Sequence, residues 1–476
     1  MIEEQHLSGS SIDAAPHGDE PLGLEAAEMR ALGYWVVDRV VEHFAHISAE
    51  PAISTATPGD LRAALGGPPP EDCGDPLLAM QTLLDVALPA MQHNDHPRYF
   101  ARVPGPASFA GVLGDWLGTG FNICASSWAG GSGPAALELT ALDWLRTLLG
   151  LPDGTEGIMT SGGSLANMTA LAAARVAAGP GVCYLSDQTH SCVLRAVKVL
   201  GFPDEHVRVL ASDERLLLLP GALAAAVRAD RAAGRRPGFV VATAGTTNTG
   251  AVDPLPELAA VCRAEELWLH VDGAYGASAA LCETGRRILR GLELADSLVI
   301  DPHKWLFQPI DVGCLFVRRP GVLKRAFQET PDYLADVTAH EDEIDLRDRG
   351  LELTRRGRGL KLWLSFRTYG VKRIAEAIER GLVLAEHAQR LIETDEDWEV
   401  VTAAQLGIVT FARRGADFNE LQELAAALTR GGYAALTCTR LRGRPVLRLC
   451  TINPRTTTTD IATTLQSVGI RLPASG

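Results

Sequence analysis

The chain has 476 residues, 46% hydrophobic and 21% charged, which is too much for one small core and ordinary for a soluble globular protein of two or three lobes. Forty-four Lys and Arg stand against 58 Asp and Glu, a net charge of −14 without a long basic cluster, which argues against a nucleic-acid partner. The apolar run Leu216–Ala226 is shorter than the ~20 residues of a membrane span and is broken by Pro220 and Gly221, and the start MIEEQHLSGS lacks a signal pattern, so no membrane association and a cytoplasmic location are expected.

Residues 1–20 are polar and predict a frayed tail. From Leu24 to Ile47, the apolar residues Met29, Leu32, Val36, Val40, Phe44 and Ile47 recur every three or four positions, the spacing of an amphipathic helix. Its apolar face requires a surface, in its own lobe or on a second subunit. Pro-rich breaks at Pro51–Pro58 and Gly66–Pro70 precede a helix near Pro76–Met91. His96-Pro97-Arg98-Tyr99-Phe100 reads as extended, and Pro104, Gly105 and Pro106 as a bend into the main lobe. Helices are expected over Ala107–Leu117 and Ala135–Leu149. Beyond them, strand-like runs at Gly157–Thr160, Val182–Ser186, Val207–Leu210, Phe239–Ala244, Trp268–Asp272, Leu298–Asp301 and Gly313–Val317 alternate with mostly helical stretches. That alternation predicts an α/β fold: a mainly parallel sheet covered by helices on both faces, with ligands at the carboxyl ends of the strands. A helical run over Gly359–Ile392, broken near Gly370, leads to strands Leu406–Ala412 and Val446–Thr451 and helices Asn419–Arg430 and Asp460–Val468, a smaller α/β lobe. The division expected is 1–106, 107–358 and 359–476. Nine cysteines without CxxC pairs or zinc spacing predict reduced thiols and no metal site.

The chemistry-bearing residues fall at strand ends. After Gly157–Thr160, Ser161-Gly162-Gly163-Ser164 opens the helical run Ala166–Val176. Its glycines let backbone N–H groups approach an anion and Ser164 can cap the helix, so it reads as a phosphate cup or as a plain turn. Ser186-Asp187-Gln188-Thr189-His190 brings an imidazole to the same edge, where it stacks on a planar ring or caps a helix. Gly245-Thr246-Thr247-Asn248-Thr249-Gly250 is a hydroxyl-rich turn, either a set of donors or a loop. Leu269-His270-Val271-Asp272 ends an apolar strand on a carboxylate, which wants a cation: a protonated pyridine nitrogen or an arginine. Val299-Ile300-Asp301-Pro302-His303-Lys304-Trp305 then places a lysine at a strand mouth. Enclosed by Trp305, Leu306 and Phe307, its amine is expected to lose basicity and act as a nucleophile toward a carbonyl cofactor; in solvent it would merely snorkel.

SGGSLAN, SDQTHS, TAGTTNTGAVDP, HVDGAYG and DPHKW, in that order, resemble the motifs of the pyridoxal-phosphate-dependent amino-acid decarboxylases related to aromatic-L-amino-acid and glutamate decarboxylases, from about His96 onward. The resemblance implies a fold type I pyridoxal-phosphate enzyme, aspartate-aminotransferase-like, with a seven-stranded large domain. It implies Lys304 as the Schiff-base lysine, Asp272 on the pyridine nitrogen, Ala274 and His190 on the ring faces, Thr247 beside the ring, and Gly163, Ser164 and His303 at the phosphate. Tyr333, in Thr330-Pro331-Asp332-Tyr333-Leu334, matches the tyrosine acid of the family's mobile loop. Relatives with Phe there divert toward oxygen-dependent aldehyde formation, so Tyr333 favours amine release. The acids Asp336, Glu341, Asp342, Glu343, Asp345 and Asp348 read as a solvated continuation of that loop. At the positions matching the family's aromatic substrate pocket stand Asn94, Arg102, Val103, Pro104, Cys124 and Ser126, a more polar set, and Gly357 replaces a bulky aromatic and loosens the loop's landing surface. Aromatic L-amino acids are the first substrate implied, with acidic or other polar ones behind. The resemblance also implies a homodimer with shared active sites and N-terminal helices wrapping the partner. Aminotransferases and aldehyde synthases would share the lysine and aspartate, and a non-catalytic binding protein on an enzyme scaffold is the alternative from another class.

Overall fold

The computed structural model describes residues 22–103, 105–329 and 343–472. Its centre is a seven-stranded sheet of β1 (Glu156–Thr160), β2 (Val182–Ser186), β3 (Val207–Leu210), β4 (Pro237–Thr243), β5 (Trp268–Asp272), β6 (Ser297–Ile300) and β7 (Gly313–Val317), in the order β1-β7-β6-β5-β4-β2-β3. The pairs β2/β3, β2/β4, β4/β5 and β5/β6 are parallel, whereas β7 is antiparallel to both β6 and β1. Because only β7 is reversed, β1 to β6 all end along one edge. Alternate side chains feed two cores: Val240, Ala242, Leu269 and Val271 on one face, Phe239, Val241 and Trp268 on the other. Burial on both faces is why these strands read as unbroken apolar runs.

The second lobe is a four-stranded antiparallel sheet of β8 (Trp398–Gln405), β9 (Ile408–Arg413), β10 (Thr437–Leu441) and β11 (Arg444–Cys450), ordered β10-β11-β9-β8. The sequence reading had only β9 and β11. β8 is interrupted by register shifts around Thr402, and β10 is a polar edge strand, so neither shows a clean period of two. The long helix Gly359–Ile392 is interrupted at Gly370 as expected, where φ is +72°.

In the N-terminal segment, α1 (Ala26–His46) has no buried residue, and Met29 and Tyr34 are 54% and 67% exposed. Leu117 of α2 (Phe109–Gly120) and the adjacent Phe121 are likewise exposed. A helix absent from the sequence reading, Pro58–Leu65, sits within the Pro-rich stretch, started by Thr57, whose hydroxyl accepts from Asp60 N. The helix expected to reach Met91 instead stops at Thr82 and continues as a π turn over Leu83–Ala87. His43 bonds Asp95 at 2.7 Å and fastens α1 to the segment before His96. Donor atoms of His43, Glu50 and His93 lie within 4.8 Å of one another, with the positive charge of Arg455 acting on the same His43 imidazole. All nine cysteines are unpaired thiols, and no helix among the described residues is long and apolar enough to cross a membrane.

Candidate active site

The common edge of β1 to β6 opens into a cavity of about 350 Å³. The turn Ser161–Ser164 after β1, His190 after β2, Thr247 after β4, Asp272 and Ala274 after β5, and His303 and Lys304 after β6 all line it. Eight of the residues expected at a cofactor, namely Gly163, Ser164, His190, Thr247, Asp272, Ala274, His303 and Lys304, are thus brought together.

Each is held differently. Gly162 has φ +157°, and the helix Gly163–Ala178 begins directly on it without a side-chain cap, so Ser164 lies in the first turn and is not the cap. A Cβ on Gly163 would come within 2.7 Å of Asp301 Oδ2 and 3.2 Å of the Ala274 methyl, so this cup admits no side chain. His190 caps the helix Ser191–Val199, accepting from Cys192 N at 3.3 Å, and also lines the cavity. In the hydroxyl turn, Thr246 and Thr249 bond each other at 2.9 Å and are buried, which leaves Thr247 to face the cavity. Asp272 is 5% exposed and accepts from Ala274 N at 3.1 Å, with no arginine paired to it among the described residues. His303 donates its Nδ1–H to the Val312 carbonyl at 2.6 Å, since a carbonyl can only accept, and its ring stands over Gly162.

Lys304 departs from expectation. Pro302–Trp305 is a short helical turn, Trp305 stacks on Tyr275 at 5.5 Å, and the ammonium bonds Asp301 Oδ2 at 2.9 Å. Burial pulls the Lys304 ammonium down, but Asp301 and Asp272 outweigh it and the net shift is upward, not the lowering expected from an apolar enclosure. Burial also lowers the His190 imidazole, against Asp272, and raises the Cys192 thiol to about 12.

The cavity fits pyridoxal phosphate. It offers a glycine cup for an anion, a carboxylate free of any arginine for a pyridinium, and an amine for an aldehyde. Thr243 Oγ1 and Gln188 Oε1, both on its wall, have no hydrogen-bond partner.

The expected substrate residues are not in this cavity. Val103 packs against the core that holds Tyr275 and Trp305, and Arg102 is exposed with φ +53°. Asn94 lies outside the lining. Cys124 and Ser126 bond each other at 3.2 Å, with Ser126 Oγ accepting from Arg355 N, on a different surface of this chain. Pro104 and Tyr333 lie outside the described residues. Asp345 is not on a solvated loop: it is 5% exposed and accepts from Trp128 N at 2.8 Å. A Cβ on Gly357 would meet Ile123 at 2.9 Å, so this position is closely packed, not loose.

Four residues escaped the sequence reading. Asp301 stood in the DPHKW run without a role, although a carboxylate three residues before a lysine shares one face of a helical turn. Arg355 and Glu138 form a buried pair, 1% and 0% exposed, beneath β1. Arg448 on β11 is 2% exposed, with one N–H on the Arg102 carbonyl, Nε and Nη2 unpartnered, and no carboxylate paired to it among the described residues.

The fold, with this cavity at its strand ends, is that of the fold type I pyridoxal-phosphate enzymes. Residues 72–414 match the family model of the pyridoxal-dependent decarboxylase conserved domain. The chain is 44% identical over 455 residues to the aromatic-L-amino-acid decarboxylase of Bacillus atrophaeus, covering 93% of this chain and 95% of the relative. Among solved structures, Oryza sativa TDC with PLP and tryptamine superposes with a TM-score of 0.89 at 30% identity, over 94% of this chain and 97% of that one. Rhodiola rosea 4-hydroxyphenylacetaldehyde synthase does so with a TM-score of 0.87 at 27% identity, over 94% and 98%. The chain belongs to the pyridoxal-dependent decarboxylase family. It is a carboxy-lyase that uses pyridoxal 5'-phosphate and acts on an amino acid.

Proposed function

We propose that this enzyme decarboxylates an aromatic L-amino acid to its amine and CO2, as a homodimer in the cytoplasm. The observation that carries the chemistry is the convergence of Lys304 and Asp272 on one cavity beside the Gly162–Ser164 cup. Bound pyridoxal phosphate draws into its ring the electron pair left when a carboxylate departs as CO2. Lys304 supplies the amine that bonds its aldehyde carbon. Asp272, almost wholly desolvated, holds the proton on the ring nitrogen. Gly163, Ser164 and His303 would hold the phosphate, and Ala274, His190 and Thr247 would pack around the ring. A His190 kept neutral by burial adds no repulsion toward a protonated ring. Tyr333 delivers the proton to the α-carbon, and the walls of the cavity keep water from competing with it.

The aromatic substrate is supported by the Bacillus atrophaeus relative and by the rice structure with tryptamine. The likeness to an aldehyde synthase favours a second reading, decarboxylation coupled to aldehyde formation, against which Tyr333 stands. Dimerisation is supported by α1, none of whose residues is fully buried in its own chain, and by exposed Leu117 and Phe121. Cys124 and Ser126 follow Phe121 directly, so the same interface would carry them, with the pocket role of Asn94, Arg102 and Val103 completed across subunits. Nine unpaired thiols suit a reducing compartment. The three-part division 1–106, 107–358 and 359–476 is kept as the reading of the domains. A panel of L-amino acids with CO2, amine and aldehyde readouts tests the function: amine from aromatic substrates is expected, and turnover of none refutes it.

A further inference from the structure

Asp301 has no part in the roles above, yet it is the most deeply buried acid of the cavity, 1% exposed against 5% for Asp272. Its Oδ2 bonds Lys304 Nζ at 2.9 Å, and its Oδ1 has no partner. Glycines leave room for it on two sides: a Cβ on Gly163 would lie 2.7 Å from Oδ2, and one on Gly313 would lie 2.6 Å from Oδ1. A side chain at either glycine would crowd the carboxylate out of its place beside the lysine. Asp301 and Lys304 also sit three residues apart on one helical turn, so the backbone sets their separation.

We propose that Asp301 is the dock of the Lys304 ammonium whenever that lysine is not bonded to the cofactor, positioning Nζ at the edge of the cup and restraining its capture of the aldehyde. This rests on the reading of Lys304 as the cofactor-bonding lysine. Capture uses the lone pair of Nζ: the ammonium must first surrender a proton to solvent, the C–N bond then forms, and the carbonyl oxygen leaves as water. A buried carboxylate at ion-pair distance opposes that first loss. The other groups facing Nζ are Asp272 from β5, His190 and Cys192 from the turn and helix after β2, and His303 on its own turn, but only Asp301 is within ion-pair distance. The upward shift of the lysine, with Asp301 the largest contribution opposing burial, agrees with this. When an incoming amine displaces Lys304, the same dock receives Nζ as an ammonium and keeps it from recapturing the cofactor at once.

The test mixes the cofactor-free full chain with pyridoxal phosphate between about pH 6 and 10 and follows the Schiff-base absorbance, with borohydride trapping and peptide mass to place the bond at Lys304. Asp301→Asn keeps the shape and removes the charge, and Asp301→Ser serves should the amide fail to fold, with thermal melting as the check. Both variants are expected to capture the cofactor faster at neutral pH, by roughly tenfold for each unit by which the rate–pH profile moves down. Folded variants with the wild-type profile, or with slower capture, overturn the dock while leaving the role of Lys304 intact. A wild-type chain that traps no cofactor at Lys304 overturns both.

Discussion

Arg355→Met tests what fastens the cofactor cup to the rest of the large domain. The guanidinium bonds Glu138 at 2.7 and 3.1 Å, the Ala125 carbonyl at 3.0 Å and the Met159 carbonyl at 2.6 Å, while Glu138 accepts from Met159 N at 3.0 Å. Methionine keeps most of the volume but leaves a carboxylate with no exposed surface and a single backbone donor. Removing one partner of such a pair costs about 3–5 kcal/mol, because the remaining charge is stranded without water or counter-ion. Urea unfolding of the cofactor-free chain reads this as a fall in midpoint of roughly 1–5 M, at about 1–3 kcal/mol per molar. Met159 lies one residue before the end of β1, two before the cup, so cofactor retention on dilution is expected to fall as well. Adding Glu138→Gln removes the stranded charge and should recover about 1 kcal/mol or more. A loss below about 1 kcal/mol for Arg355→Met, or a double variant no better than the single one, would refute the reasoning.

Tyr333→Phe is expected to lower amine yield and raise aldehyde in product analysis; unchanged amine output counts against Tyr333 as the acid. Asp272→Asn should lower turnover by roughly 10²–10³-fold while the trapped bond at Lys304 still forms, measured by steady-state kinetics beside borohydride trapping. Burial lowers the His270 imidazole to about 4, below its unfolded value of about 6.5. Between those values the unfolded chain binds a proton that the folded chain refuses, so stability falls as pH falls, by about 1.4 kcal/mol per unit from this group; urea midpoints for wild type and His270→Asn should differ in that slope. Phe121→Asp should shift the protein toward monomer in sedimentation, and a variant that sediments as wild type would remove that residue from the proposed interface.

The order of elements, the strand-end positions of eight residues that line the cavity and the identity of the family were legible in the sequence. Strands buried on both faces read as apolar runs, and turns that cradle an anion or cap a helix use few residue types. The lysine illustrates the limit. Its position in the chain announced a cofactor site, but its electrostatics depend on which acids stand near it, and Asp301 meets Nζ because Pro302–Trp305 forms a helical turn while Gly163 and Gly313 leave room for the carboxylate. Glu138 and Arg355, 217 residues apart, and the buried Arg448 were illegible for the same reason: a polar residue looks exposed until the chain brings its partner or its enclosure. Sequence by itself determined which chemical groups the chain carries and where along the strands they fall. Tertiary structure alone decided which groups share a desolvated space, and that sharing sets charge, basicity and room for a ligand.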